Sequence, residues 1–174
     1  RAATYRHLRR HWQFINELQL FDIAHRSLYG THIYGHRQSP NFLNASGSYH
    51  PDTISRSLAH DGTGEQPGFK DPHTDTWDLR PHAARIQSIN ETALKTWQAV
   101  TESHHWHSTT MVSTVNSAAL RTLATLSTQT RIGSLDLQFS RGWDESIDRQ
   151  KGRFIQRWGQ SSWEDAILQG PHLY

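Results

Sequence analysis

The stretch Tyr5-Arg6-His7-Leu8-Arg9-Arg10-His11-Trp12-Gln13-Phe14-Ile15-Asn16-Glu17-Leu18-Gln19-Leu20-Phe21 decides the fold class, because its apolar rhythm changes along its length. Tyr5, Leu8 and Trp12 fall at helical spacing, so residues 2–12 read as a helix with Arg6, Arg9 and Arg10 largely away from the apolar face. Phe14 to Phe21 suits a partly buried strand. After Tyr29-Gly30 the chain turns into Thr31-His32-Ile33-Tyr34, a second short strand. Helix, strand, turn and strand form the edge of an α/β sheet, and a mixed α+β fold follows. Two strands alone could not be stable. Residues 14–34 should therefore present a sheet edge and an apolar surface, carried by Phe14, Leu18, Leu20, Phe21, Ile33 and Tyr34, that more protein covers.

Outward from this stretch, residues 36–82 hold Pro40, Pro51, Pro67, Pro72 and Pro81, with Gly62, Gly64 and Gly68 punctuating one loop. An ordered connector is expected here, since Phe42, Leu43, Tyr49, Phe69 and Trp77 need somewhere to pack. Helical spacing returns from His82 to Val100 through Ile86, Ile89, Leu94 and Trp97. Asn116 is placed to cap a helix carrying Leu120, Leu123 and Leu126. Ile132 to Phe139 alternates Leu135, Leu137 and Phe139 and reads as a strand. Ser161 with Glu164 and Ser162 with Asp165 make two overlapping capping boxes before a last short helix.

The composition sets bounds on function. The 174 residues suffice for one domain, or parts of two, with a real core. Only 34% are hydrophobic, yet seven Trp, six Phe and five Tyr each bury much area, which favours a loop-rich globular chain over disorder. There is no apolar run long enough to span a membrane and no signal-peptide stretch among the first residues. The absence of cysteine excludes disulfides and thiolate metal sites and fits a reducing cytoplasm. The chain opens on Arg1, already inside the expected helix, and closes on Gly170-Pro171-His172-Leu173-Tyr174, so both ends read as cuts through a longer protein. The formal charge is +2, and fifteen Arg against three Lys favour planar recognition of phosphates and guanine edges, although biased codon usage produces the same excess.

Several constellations of polar residues have plainer readings. His104, His105 and His107 flank Trp106, but a metal site needs further ligands and a surface histidine cluster accounts for the group. Asp71, His73 and Asp75 suit an exposed turn. Gly62 to Lys70 has the glycine content of a phosphate loop, yet no Gly-Lys-Ser/Thr follows and Pro67 removes a backbone donor. The basic, aromatic tail carries more. Arg141, Arg149, Lys151, Arg153 and Arg157 lie among Trp143, Phe154, Trp158 and Trp163, a pattern that neutralises phosphates and stacks on bases. Asp144, Glu145 and Asp148 dilute that charge. Arg149, Arg153 and Arg157 share one face on a helix or a strand, and Gly152 inclines the reading toward an extended segment.

Leu8 to Leu18 and on to Phe21, with Tyr29-Gly30-Thr31-His32-Ile33-Tyr34-Gly35, resembles the segment after the catalytic Asn-Pro-Pro-Tyr strand in large adenine-specific DNA methyltransferases of restriction-modification or phage-defence systems. Tyr49-His50-Pro51-Asp52-Thr53-Ile54, His60-Asp61-Gly62-Thr63-Gly64 and Trp77-Asp78-Leu79-Arg80-Pro81-His82 are similar as well, and Trp163 to His172 resembles a signature of the recognition half. The resemblance implies an S-adenosylmethionine-dependent transferase that flips adenine from double-stranded DNA and methylates its exocyclic N6. It implies residues 1–44 as the edge of the catalytic domain, 45–109 as a connector with loops and a helix, and 110–174 as the start of target recognition. The Asn-Pro-Pro-Tyr pocket and the glycine-rich cofactor loop are missing, so no catalytic residue carries over and the piece alone should be inactive. Its expected role is DNA positioning or reading, with the remainder of the polypeptide as partner. The alternatives are a module that docks the catalytic half and a nuclease built on the histidine-rich loops. Salt-dependent DNA binding would favour the first reading, and metal-dependent cleavage the last.

Overall fold

Strand β1, Leu8–Ile15, is the element around which the sheet forms in a computed structural model that describes residues 2–137, 142 and 144–153. The chain divides into two units, residues 1–129 and 130–174. In the first, α1 (Ala2–His7) leads directly into β1, and β2 (Leu28–Tyr34) returns antiparallel beside it. β3 (Asn41–Ser48) lies parallel to β1 on its other side, and β4 (Gln87–Asn90) closes the sheet antiparallel to β3. The order is β2-β1-β3-β4, a mixed sheet in an α+β fold.

Two expectations are corrected at once. The helix predicted over 2–12 stops at His7, and the strand predicted over 14–21 begins at Leu8 and ends at Ile15, before a 3-10 turn at Asn16–Leu18. Local spacing allowed a longer helix, but β1 has a strand on each side, and that pairing outweighs a weak helical preference. The boundary expected between 44 and 45 falls inside β3, and the one between 109 and 110 falls inside the first unit.

The stretch expected as a connector thus contains the second central strand, plus α2 (Pro51–Ser57). The helix predicted over 82–100 is a 3-10 turn (Ala83–Arg85), then β4, then α3 (Glu91–Val100). Asn90 ends the strand and starts the helix, its side chain accepting from the Ala93 N–H at 3.1 Å. The helix read after Asn116 is α4 (Ser117–Ser127), with the Asn116 oxygen accepting from Ala119 N–H at 2.8 Å. Among the described residues no helix is long and apolar enough to cross a membrane.

Phe42 and Ala45 lie three apart on β3 and so point to opposite faces of the sheet. On the Phe42 side, Tyr5, Leu8, Ile89, Leu94 and Trp97 form one buried cluster; on the Ala45 side, Phe14 and Ile54 form a second. Polar groups are buried beside them. Ser46 Oγ donates to the Thr114 carbonyl at 3.0 Å, and Gln87 Nε2 donates to the same carbonyl. These bonds fasten the segment after α3 to the sheet. Gly47 adopts φ +67, and a Cβ there would meet the Phe69 ring at 2.5 Å, so only glycine fits this end of β3.

The hairpin leaves an edge. Among the described residues β2 bonds only to β1 and is mostly exposed, and Leu18, Leu20, Phe21, Ile23, Leu28, Ile33 and Tyr34 all present apolar surface.

In the second unit, the strand predicted over 132–139 is a 3-10 turn at Ile132–Ser134 followed by irregular backbone as far as Leu137. α5 (Glu145–Gln150) is capped by Asp144, which accepts from Ile147 N–H at 2.8 Å. The capping boxes at 161–165 lie outside the described residues.

Core and edge should separate cleanly in denaturation experiments. Trp97→Ala empties a site of zero exposure and should cost about 3–5 kcal/mol. Ile33→Lys on β2 should stay within about 0.5 kcal/mol. Equal urea midpoints for the two variants would mean that Trp97 is not a core residue.

Candidate nucleic-acid interface

Of the five cations expected to meet DNA, Arg149, Lys151 and Arg153 are among the described residues; Arg141 and Arg157 lie outside them, as do Trp143, Phe154, Trp158 and Trp163. Arg149 lies in the last turn of α5 and Lys151 at its C-terminal cap, both exposed. Gly152, with φ +68, then turns the chain out of the helix. The extended segment favoured from Gly152 is therefore replaced by a capped helix and a glycine turn, and Arg149 and Arg153 do not share one regular element. Arg153 Nη1 donates to Asp148 Oδ1 at 2.9 Å, and the fully buried Asp148 carboxylate also accepts from Asp144 N–H at 2.8 Å. One cation of the expected row thus serves to close its own helix.

The first unit holds a more elaborate arrangement. The segments 49–54, 60–64 and 77–82 lie apart in sequence and close on each other in space. The Tyr49 and Trp77 rings are 4.8 Å apart, the His60 and His82 rings are 4.8 Å apart, and Thr53 Oγ1 donates to the Leu79 carbonyl at 3.1 Å. Asp78 is the centre of the group. Its buried carboxylate accepts from Gly68 N–H at 3.2 Å, from Arg80 N–H at 3.0 Å and from Arg80 Nη2 at 2.7 Å. Arg80 reaches on to Glu65 at 2.9 Å. Arg85, 1% exposed, pairs with Asp78 at 3.4 Å while donating to the carbonyls of Arg80 at 2.9 Å and Asp78 at 2.7 Å.

Burial alone would push the Asp78 carboxyl up. The hydrogen bonds from Arg80 and the charges of Arg85 and Arg80 outweigh it, and the net shift is downward. Burial pushes the Arg85 guanidinium down, against the pull of Asp78. A carboxylate this fully occupied has no lone pair to offer a substrate, so its role is to set the shape of the loops.

Three histidines repeat one device here. His50, His60 and His82 each accept through Nδ1 from the N–H two residues later, at Asp52, Gly62 and Ala84, over 3.1, 3.0 and 2.9 Å. Each ring thus closes a short backbone turn through its own Nδ1. These side chains mimic the Asx turn, in which a side-chain acceptor closes the backbone. Much of the histidine content is thereby structural. The His105 and His107 rings lie 5.0 Å apart, but among the described residues no three His, Asp or Glu side chains gather as metal ligands.

A cleft of about 300 Å³ opens between α1, β1 and β2, lined by Tyr5, Leu8, His11, His32, Tyr34 and Met111 among others. His11 Nδ1 bonds Asn44 Oδ1 at 2.8 Å, and its ring lies 4.8 Å from that of His32. Burial pushes the His11 imidazolium down; the Asn44 bond pushes back, and His32 adds to the lowering. The cleft is thus walled by aromatic and apolar groups around the buried His11 ring. Sequence reasoning missed it because His11 and His32 meet only through the register of β1 with β2.

The chain matches no protein-family model, no curated protein and no solved structure.

The Asp78 group carries a prediction. Asp78→Asn leaves Arg85 buried without its counter-charge and should destabilise the protein by about 3–5 kcal/mol. Because the folded carboxyl ionises below its unfolded value of about 4, its stabilisation is complete above that pH. It is lost as pH falls through the folded value. Wild-type stability should therefore fall more steeply in acid than that of Asp78→Asn, as read from urea midpoints across the acid range. Parallel curves would remove Asp78 from this role.

Proposed function

We propose that this chain is a piece of a large, cytoplasmic, adenine-specific DNA methyltransferase of restriction-modification or phage-defence systems, in which it positions or reads double-stranded DNA. The observation that supports this most is the convergence of the three segments 49–54, 60–64 and 77–82 around Asp78 and the paired rings. A resemblance scattered through the sequence becomes contiguous in space, as expected if the shared pattern encodes one folded element. The parent enzyme takes its methyl group from S-adenosylmethionine. On this reading the elements that hold the cofactor lie in the remainder of the polypeptide.

A second reading has its own observation. The unpaired edge of β2 and its exposed Phe21, Leu28, Ile33 and Tyr34 suit a module that docks the catalytic half without touching DNA.

Two measurements test the first reading. The full reading frame should deposit N6-methyladenine in duplex DNA and lose that activity when an upstream Asn-Pro-Pro-Tyr is altered. The isolated chain should show no rise in melting temperature with S-adenosylmethionine, since a ligand that binds only the native state would raise it. Saturable stabilisation of the isolated chain, or a full-length product with no methylation dependent on that motif, would overturn the assignment.

A further inference from the structure

We infer that the corner of the sheet where α1 runs into β1 is a phosphate-binding site for the DNA backbone, with Arg6 and Arg37 as the contacting groups. The inference rests on the DNA-positioning reading above and gives it a location outside the basic tail. Two chain segments build the corner. Gly35 N–H donates to the His7 carbonyl at 2.8 Å, and Gln38 N–H donates to the Arg6 carbonyl at 3.0 Å. The loop between β2 and β3 is thereby strapped across the end of α1, and Arg37 is brought beside Arg6. Arg9 tightens the strap from within. It donates to the carbonyls of His7 at 3.2 Å and Leu8 at 3.1 Å, and its other terminal nitrogen donates to the carbonyl of His36.

Arg6 and Arg37 line one open cleft of about 410 Å³ with Gln38, Ser39, Pro40, Glu91 and Trp106. The Arg6 guanidinium lies over the Trp106 ring, 5.9 Å from its centre, which orients the cation without neutralising it. Glu91 is the one carboxylate on the lining, and Lys95 pairs with it at 2.9 Å. The acid is thus compensated from its own helix, and the two guanidinium charges are left over.

Four cations of this unit are tied to carboxylates that hold loops or helices. Lys70 pairs with Asp75, Arg80 with Glu65 and Asp78, Arg85 with Asp78, and Lys95 with Glu91. Among the described residues Arg6, Arg9 and Arg37 have no carboxylate partner, nor do Arg10, Arg26, Arg56 and Arg121, but of these only Arg6 and Arg37 line this cleft. The Arg9 guanidinium is held by backbone carbonyls and that of Arg6 over an indole, and Arg37 lines the same cleft as Arg6, where like charges repel. Such a corner is ready for an anion, and the planar fork of arginine matches phosphate oxygens. Trp106 at the rim offers a ring on which an unpaired base could stack.

The test uses the 174-residue chain and a labelled duplex, titrated at several salt concentrations. Arg6→Gln with Arg37→Gln should weaken binding and flatten the slope of log affinity against log salt by about 1.8, since each phosphate contact contributes about 0.9. Arg56→Gln, an exposed cation on α2, should leave the slope unchanged. Should the double variant not fold, Arg37→Glu replaces a fully exposed side chain and should weaken binding further. An unchanged slope in the folded double variant or in Arg37→Glu overturns this site while leaving the DNA reading standing. So does an equal change in Arg56→Gln. No salt-dependent binding by the wild-type chain overturns the DNA reading and the site together.

Discussion

The Asp78 carboxylate and the Arg85 guanidinium are both out of water, and the loops of the first unit are arranged to make that tolerable. Removing a charge from solvent costs several kcal/mol, and an ion pair recovers this only when the remaining donors and acceptors are also met. The demand explains the layout of residues 65–85. Gly68 and Arg80 supply donors to Asp78, while the carbonyls of Arg80 and Asp78 take donors from Arg85. A run rich in Pro and Gly, which has little regular structure to hold it, is ordered because two buried charges need those groups in those places. Thr53 and Ser57 on α2 extend the same order, through bonds to the Leu79 carbonyl and from the His82 N–H. The sheet face around Phe14, Ala45 and Ile54 is thus roofed by a helix and a loop that share one polar framework.

β3 follows a related logic. A central strand made of Asn, Ser and Gly has little apolar area, and its buried hydroxyls and amide would be costly if left unmet. Asn44 Oδ1 meets His11 and Ser46 exchanges bonds with Thr114 from both sides, while Asn44 Nδ2 and Ser48 Oγ are buried with no partner among the described residues. These contacts are specific in register as well as satisfying. Sliding β3 by two residues would part Asn44 from His11 and Ser46 from Thr114, whereas aliphatic residues would tolerate the slip.

This polarity also sets what was legible in the sequence. The hairpin, the helices after Asn90 and Asn116 and the exposed apolar edge all advertise themselves through apolar spacing, turn residues or caps. β3 does not, because its buried side chains are those that normally mark loops. The helix predicted over 82–100 takes in β4 because Ile86 and Ile89, three apart, fit helical spacing, while the buried positions of β4 are Gln87 and Ile89 and a glutamine gives no apolar signal; the Asn90-Glu91 pair marks the true start. The basic tail was visible as composition, but the pairing of Arg153 with Asp148 depends on where α5 ends. The corner at Arg6 and Arg37 was hidden for a different reason. Its charges stand on two segments that meet only because β2 returns alongside β1, and no spacing in one dimension encodes that meeting.

The distribution of arginine partners bears on how a chain of net charge +2 can favour DNA at all. Net charge sets solubility and the distant field, while local binding follows charges left uncompensated at the surface. In the first unit, carboxylates are spent on cations that hold loops or helices: Asp78 on Arg85 and Arg80, Glu65 on Arg80, Asp75 on Lys70. Each such pair contributes order and subtracts little from the field elsewhere. The uncompensated cations include Arg6, Arg9 and Arg37 at the α1–β1 corner, where Arg9 is positioned by carbonyl oxygens that carry no formal charge and Arg6 by an indole. Screening over about 8 Å at physiological salt confines this potential to ligands that come close. A regular polyanion approaching that edge would meet Arg6 already oriented over its indole, with less side-chain entropy left to lose there. A modest net charge is therefore compatible with a strongly basic corner, because the fold decides which charges are cancelled.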